Sequence, residues 1–600
     1  MATRAGSPAT ASPRDPWQAL VDPLRRELAR LTAAAGAAPD LAAVDRLLNR
    51  DGGDDWELAF PLHRAAAQLK LPAPELARRW AADFPALPGL GTTFAAGPYL
   101  NFRADRAWLT ASTLALIGDL GEAYGGAETS VDRVCVEHTS ANPTGPFHIG
   151  RVRNALIGDS FTRVLRSAGA PVTTHYYVDD VGRQAAMLGW IWTQPTSQWP
   201  AEVRASLEGA DEAAEKPDRY LGRPYPLVNE FLKTHPDADA QVGQIAHALE
   251  SGQVDPRYRQ IIQRVLDGML ASLREIGVAF DAFVWESELI ADGSVARVVE
   301  ALRAAPHAVQ ELNGAWAIDA SGQGLPQESA RIIVTRGDGT TLYATRDVAY
   351  HRRKLAEFAR VIDVLGTNHE LHARVLKVLL AEVGEARLPE FVMYQYITAA
   401  DGAGMSTRKG TAVYLDDLLE EAILRARGAI RERHSDLTAE EKDAIATAVA
   451  TGAIRYHILR VAADKTVAFR WEDALSFEGK SGPFLQYAYA RAASILRKSG
   501  APPNPKAGDP GLLTGAPEWA LIRELARLPG LVQYVARSAH VHALAGYAHT
   551  LAEQFNRFYQ DVPVLADGPA RESRLALVAG FHRTLGNTLE LLGIPRLERM

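Results

Sequence analysis

The sequence predicts three parts in series: a small α+β module, an α/β domain with a helical insertion, and an all-α helix bundle. Three observations carry this. A buried strand, a tight turn, a helix and a second strand follow one another between residues 131 and 178, which makes a βαβ unit. A charged, proline-containing stretch between Gly189 and Arg257 separates that unit from later strand-like runs. After Leu415, apolar residues recur at helical spacing almost without a break.

At 600 residues, with 47% hydrophobic and 23% charged content, the chain is globular and too long for one core. Residues 1–16 are rich in Ala, Thr, Ser, Pro and Arg and read as a disordered leader, with an organellar transit peptide as the sharper alternative. Residues 17–112 are helical at first, then strand-like near Phe94 and at Pro98-Tyr-Leu-Asn-Phe-Arg103, which gives the α+β module. The α/β domain spans 128–414. Val131, Val134 and Val136 mark its first strand, and Asn142-Pro-Thr-Gly-Pro146 breaks it. Ile149 to Ala168 follow as an amphipathic helix through Leu156, Phe161 and Leu165, ended by Gly169. The Val-, Thr- and Tyr-rich run from Pro171 to Val178 is the second strand, parallel to the first because a helix crosses between them. The helical insertion covers about 187–275. Sheet signals return at Arg331-Ile-Ile-Val-Thr335, Arg360 to Leu365 and Phe391 to Thr398. In the final part, 415–600, Thr438 and Glu441 are spaced as a capping box, and a periodic tail runs to Met600.

Composition removes several classes of function. No apolar run approaches the roughly 18 residues that span a bilayer, and no charged n-region leads into an apolar h-region, so a soluble cytoplasmic protein is expected. The single cysteine, Cys135, excludes a disulfide framework and a Cys-based zinc cluster, and reads as strand packing. A net charge of −7 does not favour a general polyanion binder, although local arginine surfaces suffice to meet one RNA.

The strand, turn and helix around His148 form a phosphate-binding arrangement, since a helix start presents unpaired N–H groups and a positive dipole end. Gly145 and Gly150 allow close backbone approach, and His148 and Arg151 sit three apart, able to face one ligand. The run Ser140-Ala-Asn-Pro-Thr-Gly-Pro-Phe-His-Ile-Gly150 resembles the His-x-Gly-His signature of class I aminoacyl-tRNA synthetases in the setting of the arginyl-tRNA synthetase family. The motif covers Ala141 to Arg151, with Arg151 standing where the family has its second histidine. Arginine keeps the charge that phosphoryl transfer needs but changes the geometry, and the sequence leaves both consequences open. Gly404-Met-Ser-Thr-Arg408, followed by Lys409, resembles the family's Lys-Met-Ser-Lys-Ser loop at Met405 and Ser406, with Gly404 and Thr407 in place of its lysines.

The resemblance implies a Rossmann-like class I synthetase catalytic domain, an N-terminal module that meets the outer corner of tRNA, and a helical anticodon-binding domain. It implies an arginine–tRNA ligase whose partners are L-arginine, ATP with Mg2+ as a substrate complex, and tRNA(Arg). No protein-bound metal or prosthetic group, no membrane and a monomer are expected, and activation is expected to wait for tRNA. His148, Arg151, Arg408 and Lys409 take the catalytic roles. Pro143, Thr144, Gly145, Phe147, His148, Gly150, Arg151, Met405 and Ser406 are assigned to ATP. Arginine falls to Glu137, Ser140, Asn142, His148, Tyr343, Asp347, Asn368 and His369. The guanidinium calls for a buried carboxylate, and Asp347 with Tyr343 resembles the family's pocket at Asp338 to Asp347, with Glu137 as a second acid. Tyr177-Val-Asp-Asp-Val-Gly-Arg-Gln184 resembles a family stretch with Asp179 replacing Asn, and Gly366 to His372 resembles another, in which His372 reads as structural. Residues Ser476 to Arg491 and the tail with Phe555, Tyr559 and Leu592-Gly-Ile-Pro595 resemble the anticodon-binding domain, where most aromatics must be core and others can stack on bases. Two rivals remain: a class I enzyme or adenylyltransferase of other specificity, and a non-catalytic tRNA-binding paralogue, suggested by Arg151, Gly404 and Thr407.

Overall fold

The computed structural model describes residues 14–36, 44, 58–127, 130–253, 255–399, 414–433, 437–500 and 502–600. Asp15 caps the first helix, Pro16–Ala34, by accepting the N–H groups of Trp17 and Gln18, so helix already occupies the end of the expected leader. Residues 1–13 lie outside the described residues. Strands β1 (Leu58–Pro61), β2 (Leu90–Ala96) and β3 (Tyr99–Ala104) form an antiparallel sheet in the order β1-β3-β2, packed by the helix Ala73–Asp83.

Ten more strands follow among the described residues: β4 (Val134–Glu137), β5 (Val172–Val178), β6 (Ala282–Trp285), β7 (Ala308–Gln310), β8 (Trp316–Asp319), β9 (Arg331–Thr335), β10 (Arg360–Gly366), β11 (Glu390–Tyr394), β12 (Ile397–Ala399) and β13 (Val467–Phe469). Five of them build a parallel sheet in the order β11-β10-β4-β5-β6, with Val136 opposite Thr174 on one side and Ile362 on the other. The chain leaves β4 in one direction for β5 and β6, and fills the other side later with β10 and β11. Open parallel sheets bind ligands at such a reversal, beyond the carboxyl ends of the strands.

Several expectations need correction. Val131 is 92% exposed and precedes the strand, which starts at Val134. The strand Arg331–Thr335 does form, but it joins β7 and β8 in a separate antiparallel sheet. The run from Phe391 to Thr398 divides at Gln395, whose N–H is taken by the carbonyl of Ala463, so its second half, β12, turns away to pair with β13. The helix expected from Ile149 to Ala168 begins with a 3-10 turn, Ile149–Arg151, and continues as Val152–Ser167. It is not amphipathic, because every residue from Val152 to Thr162 is buried. Several of its buried polar groups find partners on neighbouring elements: Asn154 donates to the Val364 carbonyl, Ser160 to that of Leu591, and Asp159 pairs with Arg455.

The insertion between β5 and β6 is helical from Arg183 to Glu275. The helices Pro217–Gly222, Pro224–Leu232, Pro236–Glu250 and Pro256–Glu275 each open on proline, which presets φ where no N–H partner is needed. The C-terminal helices Leu415–Arg433, Ala439–Leu459, Gly482–Ser499, Ala516–Ser538, Val541–Asp561 and Arg571–Leu592 pack on a core that includes Leu525, Leu551 and Leu585, with Phe555 stacked on Phe581 at 3.8 Å. Thr438 and Glu441 make the capping box. Four of these helices lie against the back of Val152–Ser167, which becomes the shared wall of sheet and bundle. No helix among the described residues is long and apolar enough to cross a membrane.

Candidate active site

A cleft of about 880 Å³ opens over the carboxyl ends of β4, β5 and β10. Beyond Glu137 the chain turns sharply, with Thr139 (φ 72°) and Ser140 (φ 33°) both in the left-handed region, a conformation costing about 1 kcal/mol or more per non-glycine residue. Three hydrogen bonds hold the turn. The Thr139 N–H donates to Asn154 Oδ1 at 2.9 Å, Ser140 Oγ donates to Glu137 Oε1 at 3.0 Å, and Ser140 Oγ accepts the Tyr177 N–H at 3.0 Å. The turn thereby delivers Ser140 and Asn142 to the cleft.

His148 sits at the start of the helical segment, and its Nδ1 accepts the Gly150 N–H at 3.0 Å, which leaves the ring proton on Nε2. Burial, then the positive Arg151, lowers the imidazole below its ordinary value, so at neutral pH it is an uncharged donor. A Cβ at Gly150 would sit 3.0 Å from that Nδ1, so a larger residue there would press on the ring. The Arg151 side chain lines the cleft, is exposed, and makes no hydrogen bond to another described residue. Tyr414 pairs with His148, and the Leu415 N–H donates to the Phe147 carbonyl at 2.9 Å. Met405, Ser406, Arg408 and Lys409 lie outside the described residues, between Ala399 and Tyr414.

Other parts of the motif are not at the cleft surface. Phe147 and Ala141 are buried, the Ala141 carbonyl accepting Tyr176 OH at 2.6 Å. Pro143, Thr144 and Gly145 also lie off the cleft, and Gly145 faces Gly222 of the insertion so closely that a Cβ on Gly222 would collide with its Cα. The expectation that Gly145 makes room for a ligand is therefore corrected: it makes room for another backbone.

On the opposite side the helix Tyr343–Glu357 presents Tyr343, 43% exposed, and Asp347 one turn later. Asp347 Oδ2 accepts His372 Nε2 at 2.7 Å, and Oδ1 lies 2.9 Å from His351 Nδ1. Burial alone would raise this carboxyl, but the two histidines outweigh it and hold it well below the usual range. His372 also packs its ring on Tyr343 at 4.9 Å, so it belongs to the pocket rather than to the structural role read from sequence. Glu137 receives Lys354 Nζ at 2.7 Å. Asn142 Nδ2 donates to Asp179 at 2.9 Å and to Gln184 at 2.7 Å, which leaves its carbonyl oxygen for a ligand. Burial pushes the Asp179 carboxyl up to about 6. Asn368 and His369 line the cleft from the 3-10 turn after β10.

The structure thus brings together Glu137, Ser140, Asn142, His148, Gly150, Arg151, Tyr343, Asp347, Asn368 and His369. Sequence reading gave His372 a structural role and missed Tyr394, Tyr396 and the buried His351, Lys354 and Asp363. The signal for two of them was present, because Asp347, His351 and Lys354 recur at i, i+4 and i+7 as a polar stripe on one helical face. Chemically, the cleft has a cationic end at a helix start and an acidic end at Asp347 and Glu137, so it can hold a phosphate and a cationic group together.

Residues 119–471 match the family model for the catalytic domain of class I tRNA synthetases (R), and residues 485–600 match the DALR anticodon binding domain. The chain is 36% identical over 582 residues to the arginine–tRNA ligase of Methanocella arvoryzae, covering 96% of this chain and 99% of that one. Against the arginine–tRNA ligase of Methanosphaerula palustris it is 38% identical over 562 residues, with 92% and 96% covered. Among solved structures it superposes on the arginyl-tRNA synthetase of Thermus thermophilus with a TM-score of 0.80 at 28% identity, covering 96% of this chain and 100% of that one.

Proposed function

The chain belongs to the class I arginyl-tRNA synthetase family, and from that premise we propose how its residues perform the work of an arginine–tRNA ligase. The ligase activates L-arginine with ATP and joins it to the 3′ end of tRNA. In the first step an arginine carboxylate oxygen attacks the α-phosphorus, and the bond to the β-phosphate breaks to release pyrophosphate. In the second, the 2′-hydroxyl of the terminal adenosine attacks the acyl carbon and AMP leaves. Catalysis is positioning and charge stabilisation, with no covalent enzyme intermediate.

In this reading His148 Nε2 and Arg151 hold ATP phosphates at the start of the helix Val152–Ser167. Arg408 and Lys409 supply further positive charge, with Met405 and Ser406, as pyrophosphate forms. Asp347 and Glu137 take the guanidinium, Tyr343 covers it, and the carbonyl of Asn142 takes the α-ammonium. Asn368 and His369 contact the amino acid where it meets the adenosine. Magnesium arrives on ATP as part of the substrate. Residues 17–112 meet the tRNA corner and 415–600 the anticodon of tRNA(Arg), where Arg491 lies over Tyr487 and the half-exposed Tyr559 at 4.7 and 5.2 Å. The working unit is a monomer in the cytoplasm.

The observation that carries the reading is the buried Asp347 carboxylate in the same cleft as His148 and Arg151. Pyrophosphate exchange into ATP, run with a panel of amino acids with and without tRNA, tests it. Exchange with arginine alone, and only with tRNA, is expected. Exchange driven by a different amino acid would overturn the assignment, and silence in a folded, tRNA-binding protein would favour a non-catalytic role.

A further inference from the structure

Beneath the cleft floor, a chain of buried charges joins the two carboxylates assigned to the guanidinium. Asp347 Oδ1 lies 2.9 Å from His351 Nδ1, and His351 Nε2 lies 2.7 Å from Asp363 Oδ2. Lys354 Nζ donates to Asp363 Oδ1 and to Glu137 Oε2, both at 2.7 Å. The Lys354 side chain is completely buried, and those of His351 and Asp363 are nearly so. Burying such charges costs several kcal/mol each unless they are paired, and apolar side chains of equal size would fill the space at less cost. Packing alone does not account for them.

The charges can be counted. Both ring nitrogens of His351 face carboxylate oxygens, so the ring carries both protons. Burial and Lys354 pull its pKa down, but Asp347 and Asp363 outweigh them and lift it to about 10. Lys354 is held protonated against burial by Asp363 and Glu137. Within the buried chain three carboxylates face two cations, so one negative charge is left over; His372, partly exposed on the cleft side of Asp347, stands outside this count. Burial, and to a lesser extent Asp363, push the Glu137 carboxyl up against the pull of Lys354.

We propose that Lys354, His351 and Asp363 are positioning residues for the amino-acid pocket: they hold Glu137 and Asp347 in place and set the charge of this buried network at minus one, matched to one guanidinium. The inference rests on the assignment of Glu137 and Asp347 to the arginine side chain.

Two variants of the full chain test it. Lys354→Met leaves the count at minus two, and adding Asp363→Asn returns it to minus one. Arginine-dependent pyrophosphate exchange in the presence of tRNA gives KM for arginine and for ATP separately. Lys354→Met should raise the arginine KM about tenfold or more with the ATP KM within about twofold, and the double variant should bring the arginine KM back to within about threefold of the parent. A side chain needed only for packing cannot be rescued by deleting a second charge. If Lys354→Met does not fold, the double variant decides by the same limit. A double variant that stays as impaired as the single, raises both Michaelis constants alike, or fails to fold overturns the proposal. A parent chain silent with arginine would instead refute the functional reading, and the proposal with it.

Discussion

Asp347→Asn should separate amino-acid recognition from everything else the cleft does. The substitution keeps the side-chain size and removes one charge from a carboxylate that is 8% exposed. Truncating one partner of a buried, hydrogen-bonded charge pair costs about 2–5 kcal/mol. Taking about 3 kcal/mol, at about 1.4 kcal/mol per factor of ten, the arginine KM should rise about 100-fold. The carboxamide also has one acceptor for the two donors His351 and His372, so the pocket loses order as well as charge. ATP has no contact with Asp347 in this account, and its KM should stay within about twofold. Steady-state aminoacylation with each substrate varied in turn measures both. Equal rises for arginine and ATP would refute the placement of Asp347 in the amino-acid pocket.

Three further outcomes follow from the geometry. Arg151→Ala should lower kcat about 100-fold, the scale of losing one charge-stabilising donor, with tRNA affinity unchanged; an unaltered rate would make Arg151 a bystander. Asp179 keeps its proton up to about pH 6 in the folded chain, whereas an unfolded aspartate loses it near 3.8. The folded state therefore binds more protons between those values, and stability falls as pH rises through the window. Asp179→Asn should accordingly be more stable than the parent at pH 7.5 by up to about 3 kcal/mol and level with it below pH 4, read by urea unfolding at both pH values. A constant difference at both would contradict this. Arg153 is buried and donates to the carbonyls of Gln395, Val461, Ala462 and Lys465, so Arg153→Met should cost at least about 3 kcal/mol and lower the urea midpoint; an unchanged midpoint would show that the tie contributes nothing.

The βαβ unit was legible because strand, turn and helix each announce themselves locally: valines at alternate positions, a proline-bounded break, then a 3.6-residue period. The capping box was legible for the same reason. Pairing was not. Arg331–Thr335 reads as a strand from its own residues, yet nothing in them states which sheet it joins. β6, four residues long, is too short to show a period. The helix Val152–Ser167 looked amphipathic because Arg153, Asn154, Asp159 and Ser160 resemble a solvated face, whereas each reaches a partner hundreds of residues away or on a neighbouring strand. In the site, His148, Arg151 and Asp347 were found through their motifs. Lys354, His351 and Asp363 were not, because Asp363 interrupts the apolar run of β10 and meets its partners only when that strand packs against the helix Tyr343–Glu357.

The most direct test of the account is aminoacylation of tRNA with labelled arginine, challenged by citrulline, which has a neutral urea where arginine has its guanidinium. If Asp347 and Glu137 read the positive charge, arginine is esterified to tRNA and citrulline in about 100-fold excess leaves the rate unchanged. Competition by citrulline on equal terms, or no arginine charging by the folded chain, would contradict it.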